Sequence, residues 1–197
     1  MRLVCASANP KKVEELARML PTWVELLPRP ENVDDVEETA PTLEGNATIK
    51  AVEIAHAAAG WALADDTGLL VDALHGEPGV RSARFAGENA TDNENRALLL
   101  EKLEGCTQRS ARFRTVLALV HPSGEMHYVS GECEGSIALS ERGTNGFGYD
   151  SIFIPRDGDG RTFAEMTASE KDTLSHRGRA LQKLPELLSR IMGLPSA

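Results

Sequence analysis

The stretch from 111 to 133 restricts the fold most. Ala111–Val120 is a long run in which apolar residues dominate, His121-Pro122-Ser123-Gly124 is a turn sequence, and Met126–Cys133 resumes a strand pattern. Together they predict a long antiparallel hairpin. Helical and strand segments alternate around it. Leu3-Val4-Cys5-Ala6 reads as a buried strand, followed by Asn9 as a cap, Pro10 at a first helical position, and an apolar stripe of Val13, Leu16, Ala17 and Leu20 that Pro21 ends. Trp23–Leu27 is a second strand, and a helix is expected from about Thr42 to Ala59 with Gly60 beyond it. A further helix, capped by Thr91 or Asp92, ends near Leu103; Ile152–Ile154 forms a strand, and a last helix runs from about Ser175 to Met192, with a kink or break at Pro185. The expected class is α/β: a mixed sheet with a long antiparallel hairpin and flanking helices, in one domain spanning 1–197, with room for two lobes around a cleft.

Charge limits the partners of such a domain. With 21 Lys and Arg against 30 Asp and Glu, the net charge is −9, and the basic residues are spread along the chain without a basic patch. Nucleic acid and anionic membranes are therefore disfavoured. No apolar run approaches the roughly 18 residues that span a bilayer, and no signal-peptide core precedes the first strand, so a cytoplasmic protein is expected. Cys5, Cys106 and Cys133 are widely spaced, which argues for reduced thiols rather than a disulfide or metal clip.

Four segments could carry chemistry. In Ser7-Ala8-Asn9-Pro10-Lys11-Lys12 a strand turns into a helix whose first N–H groups, with Lys12, could cradle a phosphate; an ordinary capped helix is the plainer alternative. Asn46 and Lys50, four residues apart, share a face of the next helix. Asp65-Asp66-Thr67-Gly68 reads as a carboxylate pair at a strand end where Gly permits a sharp turn, a hard-oxygen set for Mg²⁺ that Glu37 or Glu38 could complete from an acidic loop also holding Asp34 and Asp35. The spacing does not fit a covalent phosphoaspartate, so attack by water with metal assistance is the better reading. In Asn145-Gly146-Phe147-Gly148-Tyr149-Asp150, glycines could expose ring faces for stacking on a flat base, with Asp150 accepting from ring N–H groups. Glu170-Lys171 and Ser175-His176-Arg177 gather donors suited to base acceptors or phosphate. Asp157-Gly158-Asp159-Gly160 lacks the remaining ligands of a calcium loop and reads as a turn.

These segments, in this order and with Leu63–Leu74 and Pro78–Arg84 between them, resemble the inosine/xanthosine triphosphate pyrophosphatase family, also called HAM1-like, over nearly the whole chain. The resemblance implies a homodimer whose lobes enclose a nucleotide cleft and which cleaves ITP, dITP or XTP to the monophosphate and pyrophosphate with Mg²⁺. It implies triphosphate binding by Ser7, Ala8, Asn9, Pro10, Lys11, Lys12 and Lys50, and catalysis and metal ligation by Asp66, with Glu38 as second ligand and Glu37 as the adjacent alternative. Thr67 would contact substrate; Phe147, Gly148, Tyr149 and Asp150 would hold base and sugar; Lys171, His176 and Arg177 would complete the base pocket. Three positions depart from the pattern. Thr67 stands where Ser is frequent, Ser151 where Pro is usual, which would loosen its loop, and Arg81 where Tyr is frequent, which argues against a partner or dimer contact of the family's kind there. The competing functions are a nucleotide-binding module without hydrolysis and a general Mg²⁺ phosphohydrolase that releases orthophosphate.

Overall fold

The computed structural model describes residues 1–34 and 36–193, so Asp35 of the acidic loop lies outside the described residues. The elements run β1 (Arg2–Cys5), α1 (Pro10–Met19), β2 (Glu25–Leu27), α2 (Leu43–Ala58), β3 (Ala62–Val71), β4 (Pro78–Gly79), α3 (Asp92–Lys102), β5 (Ser110–Val120), β6 (Met126–Ile137), β7 (Phe153–Pro155), α4 (Ala168–Leu174) and α5 (His176–Ile191). The strand order is β2-β1-β3-β5-β6-β7, with β4 paired to β3. The sheet is mixed: β1 is parallel to β2 and β3, whereas β3–β4 and β6–β7 are antiparallel.

The chain divides into two compact units. Among the described residues, the first comprises 1–34, 36–66, 115–131 and 180–193. Its core joins Leu3 and Cys5 of β1, Leu16 of α1, Leu63 of β3, Leu117 and Leu119 of β5, and Leu181, Leu184 and Leu188 of α5. Here α1 starts where the sequence placed it: Asn9 Oδ1 accepts from the Lys11 and Lys12 N–H groups, and Pro10 occupies the first turn. The second unit comprises residues 67–114 and 132–179. Phe113, Phe153 and Phe163 form its aromatic centre, with Phe113–Phe153 centroids 4.7 Å apart, packed with Leu69, Leu99 and Ile137. Both α3 and α4 open with reciprocal capping boxes, Thr91 with Glu94 and Thr167 with Glu170.

Two expectations require correction. Asp65–Gly68 is not a turn at a strand end but the middle of the ten-residue β3. The backbone has ladder partners on both sides of this stretch, Leu63 opposite Cys5 and Leu69 opposite Gly79, so extension satisfies its polar groups better than a bend would. The aspartates tolerate burial there because lysines neutralise them. Pro185 does not break α5, which is continuous from His176 to Ile191. Its missing N–H removes one helical bond, and burial of Leu181, Leu184, Leu187 and Leu188 offsets the loss. The hairpin is as expected, with His121 N donating to Glu125 O at its turn, and its second strand continues to Ile137. The short helix α4 was not anticipated; its cap, Thr167 with Glu170, is the available signal.

Candidate active site

The predicted residues fall into two groups, one in each unit. In the first unit an ion-pair cluster forms around β3. Lys50 Nζ, projecting from α2, donates to Glu38 Oε1 at 2.7 Å, to Asp66 Oδ1 at 2.8 Å and to the Asp65 carbonyl at 2.8 Å. Lys12, two residues into α1, places its Nζ 3.2 Å from Asp65 Oδ2, a side chain with no exposed surface. Successive strand residues point to opposite faces, which explains why the two aspartates have different lysine partners. Of the two acidic-loop candidates, the Glu38 carboxylate reaches Lys50, whereas Glu37 is exposed.

Burial raises the Asp66 carboxyl above the ordinary carboxylate range; Lys50 opposes the rise and Glu38 adds to it. For Lys50, burial favours the neutral form, but Asp66, Asp65 and Glu38 together outweigh it and the ammonium is held more firmly than usual. The buried Asp66 Oδ2 has no hydrogen-bond partner among the described residues. An ionised oxygen held in that way is a strong acceptor for a cation or a water proton.

No set of three or more His, Cys, Asp or Glu among the described residues forms a metal-binding group. Glu38 and Asp66 nevertheless converge on one nitrogen, and one or two carboxylates are what Mg²⁺ commonly takes when substrate phosphates and water supply its other oxygens. The donor set therefore fits Mg²⁺ bound together with a nucleotide. In the Ser7–Lys12 segment, Asn9 already accepts two first-turn N–H groups, and Ser7 Oγ accepts from Asn9 N at 3.3 Å. Ala8, Asn9, Pro10 and Lys11 are exposed and Ser7 and Lys12 partly so.

In the second unit, Lys171 Nζ donates to Asp150 Oδ2 at 2.7 Å, and both side chains are almost wholly buried. Asp150 Oδ2 also accepts from Phe147 N at 2.9 Å, closing the loop on itself. Gly146 (φ +76°) and Gly148 (φ +58°) supply left-handed turns in that loop, and a side chain at Gly146 would collide with the Asp150 carboxylate. The Phe147 ring lies 4.8 Å from Lys171 Nζ and 5.9 Å from the Arg177 guanidinium. Arg177, 1% exposed, donates through Nη2 to Thr67 Oγ1 at 3.2 Å. Phe147, Asp150, Lys171, Arg177 and Thr67 are thus linked by direct contacts.

The structure places the other two predicted residues differently. Tyr149 is buried in the core and its hydroxyl donates to the Ser82 carbonyl at 2.8 Å, while burial raises its pKa. The His176 ring packs on Phe113 with centroids 4.5 Å apart. Sequence reasoning missed the residues that hold the loop from outside, Asp92, Arg96 and Glu141, because the contacts join segments 45 to 56 positions apart. Arg81, at a departing position, makes an exposed ion pair with Glu88.

Residues 3–187 match the model of the Ham1 family. A relative from an Exiguobacterium strain, named dITP/XTP pyrophosphatase, is 50% identical over 93% of this chain and 95% of its own. One from Mycobacteroides abscessus with the same name is 46% identical over 98% of each chain. Among solved structures, a HAM1 protein from Coxiella burnetii superposes with a TM-score of 0.88 at 42% identity, covering 96% of this chain and 99% of its own. The Staphylococcus aureus Ham1 protein superposes at 0.86 with 38% identity, covering 97% of this chain and all of its own. With the ion-pair cluster and the Phe147 loop assembled from the residues that carried the resemblance, the chain belongs to the Ham1 family.

Proposed function

We propose that the protein hydrolyses ITP, dITP and XTP to the nucleoside monophosphate and pyrophosphate, clearing them from the nucleotide pool, with Mg²⁺ held by Glu38 and Asp66. The observation that carries this reading is the buried Asp66 Oδ2, without a partner among the described residues, beside two lysines and a second carboxylate. The names of the relatives, dITP/XTP pyrophosphatase, support the substrate class.

The residues divide the work as their chemistry dictates. A triphosphate brings several negative charges to an acidic protein, so local cations must neutralise them; Lys12 and Lys50 exchange carboxylate partners for phosphate oxygens. Bound Mg²⁺ would supply further charge neutralisation at the phosphates. Asp66, its pKa raised by burial, orients a water and accepts its proton more readily than an exposed aspartate would. The Phe147 ring offers a stacking face, while Lys171 and Arg177 present donors suited to a keto oxygen at position 6 of the purine. The same reading has the chain working as a cytoplasmic homodimer.

The deciding experiment incubates the purified protein with ITP, XTP and dITP in Mg²⁺ and identifies the first products. Monophosphate and pyrophosphate are expected. Orthophosphate as the primary product would transfer the protein to the general phosphohydrolases, and binding without turnover would make it a nucleotide-binding module.

A further inference from the structure

We infer that Arg96 is a specificity-determining positioning residue, setting base selectivity by bracing the Phe147–Asp150 loop from outside without touching the nucleotide. The inference rests on the reading above that this loop holds the base.

Arg96 lies on α3, its side chain only 12% exposed. Its guanidinium makes a three-way tie: Nη1 donates to the Gly148 carbonyl at 2.7 Å, Nε to Glu141 Oε2 at 2.9 Å, and Nη2 to Asn93 Oδ1. Glu141 Oε2 also accepts from Ser151 Oγ at 3.0 Å. From the first turn of the same helix, Asp92 Oδ2 accepts from Gly148 N at 2.8 Å. Both polar groups flanking Gly148 are therefore held by α3, one by a cation and one by an anion, and the next loop residue but two is held through Glu141.

This arrangement goes beyond ordinary loop packing. Gly148 sits at φ +58° between Phe147, which offers its ring to the base, and Tyr149, which anchors the loop in the core. Glycine in such a conformation has a broad choice of backbone angles, so its geometry is fixed by what holds its peptide groups. The donors come as a planar fork, which constrains direction as well as distance; a lysine offers a charge but not that fork. Ser151, which the resemblance marked as a loosening departure, is here tied to the same carboxylate as Arg96. Base selectivity depends on placing polar groups to within a fraction of an ångström, so slack at Gly148 translates into lost discrimination.

The test compares Arg96→Ala, Arg96→Lys and the unaltered protein in steady-state turnover of ITP, XTP and GTP, together with amide exchange at Phe147 and Gly148. With Arg96→Ala, KM for ITP and XTP should rise by about tenfold while kcat stays within about twofold, and the ITP:GTP ratio of kcat/KM should contract. Exchange at Phe147 and Gly148 should accelerate, and Arg96→Lys should fall between the two proteins. Ser151→Ala, which removes one tie without touching α3, should give the same changes at smaller size and guards against misfolding of the arginine variant. Unchanged KM and ITP:GTP ratio in Arg96→Ala, or a fall confined to kcat, would overturn the inference and leave Arg96 a structural residue. Failure of the underlying reading shows separately, because it is read on the unaltered protein alone: no preference for ITP and XTP over GTP there removes the base-loop assignment and the inference with it.

Discussion

Lys50 and Asp66 form the central pair of the acidic cluster, their Nζ and Oδ1 atoms 2.8 Å apart, with only 15% and 7% of the side-chain surfaces exposed. The lysine engages one oxygen of the carboxylate and leaves Oδ2 buried without a partner among the described residues. Asp65, one position earlier, engages Lys12 instead. The two side chains thus pair with different lysines, although Lys50 also takes the Asp65 carbonyl, so substitutions at the two positions should differ in effect.

Asp66→Asn should abolish turnover while the protein stays folded. The change preserves volume and keeps an acceptor for Lys50 but removes the charge that orients or deprotonates water, and a loss of at least about a hundredfold is expected. Asp65→Asn, on the Lys12 side, should reduce turnover less. Steady-state rates with circular dichroism as the folding control would check both, and a near-normal Asp66→Asn enzyme would move the catalytic role elsewhere.

Glu38→Gln should weaken the response to divalent metal, because it neutralises one of the two carboxylates that converge on Lys50. Direct Mn²⁺ titration by paramagnetic resonance, with a non-hydrolysable nucleotide present, should show affinity reduced by about tenfold or more. The exposed Glu37 serves as the control, and Glu37→Gln should bind normally. The opposite pattern would mean that the loop is read in the wrong register.

The sequence made much of this legible. Asn9, Pro10 and the apolar stripe through Leu16 marked α1, since caps and periodicity are local signals. The hairpin was equally clear, because β5 and β6 are separated by a short turn sequence. Asp65–Gly68 misled because Asp and Gly are locally turn-forming residues; what keeps them extended is pairing with β1 and β4 and charge neutralisation by Lys12 and Lys50, all of it nonlocal. The resemblance assigns Tyr149 to the base pocket, and nothing local marks its core partner, since Ser82 lies 67 positions away. The Arg96 brace left no sequence signal because arginine on a helix ordinarily reads as a solvated charge.

Stability should fall in acid partly through Glu170. The hydrogen bond from Arg161, followed by the Thr167 N–H and hydroxyl, holds this carboxyl down at about 2 against an ordinary value of 4.5. A depressed folded-state pKa favours the folded chain above the unfolded value, and that contribution is lost as pH falls through the folded value. The slope of melting temperature against pH between about 4.5 and about 2 should therefore be shallower in Glu170→Gln. An identical slope would show that the α4 cap adds nothing to acid sensitivity.

Thiol reactivity should separate the cysteines. Cys133 is buried, and burial pushes its pKa up to about 11; burial likewise raises Cys5. Cys106 is partly exposed. Because the thiolate is the nucleophile, a disulfide reagent near pH 8 should modify Cys106 first in the native protein, and all three only after denaturation. Equal native rates would mean that the two units open readily enough to expose their cores.

Discrimination against ATP should depend on Lys171 and Arg177. Both are buried cations beside the Phe147 ring, and each retains a fixed protein partner, Asp150 Oδ2 for the lysine and Thr67 Oγ1 for the arginine. Those partners aim the donors. A keto oxygen at purine position 6 accepts from such a group, whereas the amino group of adenine meets it donor to donor and leaves a buried cation poorly paired. A mismatch of this kind costs roughly 1 to 3 kcal/mol, more where charge is involved, or about fivefold to 150-fold in kcat/KM for each donor. Lys171→Met keeps most of the side-chain length and packing while removing the charge, and Arg177→Lys keeps the charge while removing the fork. Each should reduce ITP and XTP turnover more than ATP turnover and so compress the ratio between them. His176 behaves differently in this scheme: its ring packs on Phe113 at 4.5 Å, so His176→Ala should lower the melting temperature as well as turnover. If Lys171→Met and Arg177→Lys instead lowered ITP and ATP turnover by one common factor, the pair would be holding phosphate or the loop itself, and base reading would have to be reassigned to the backbone groups of Phe147 and Gly148.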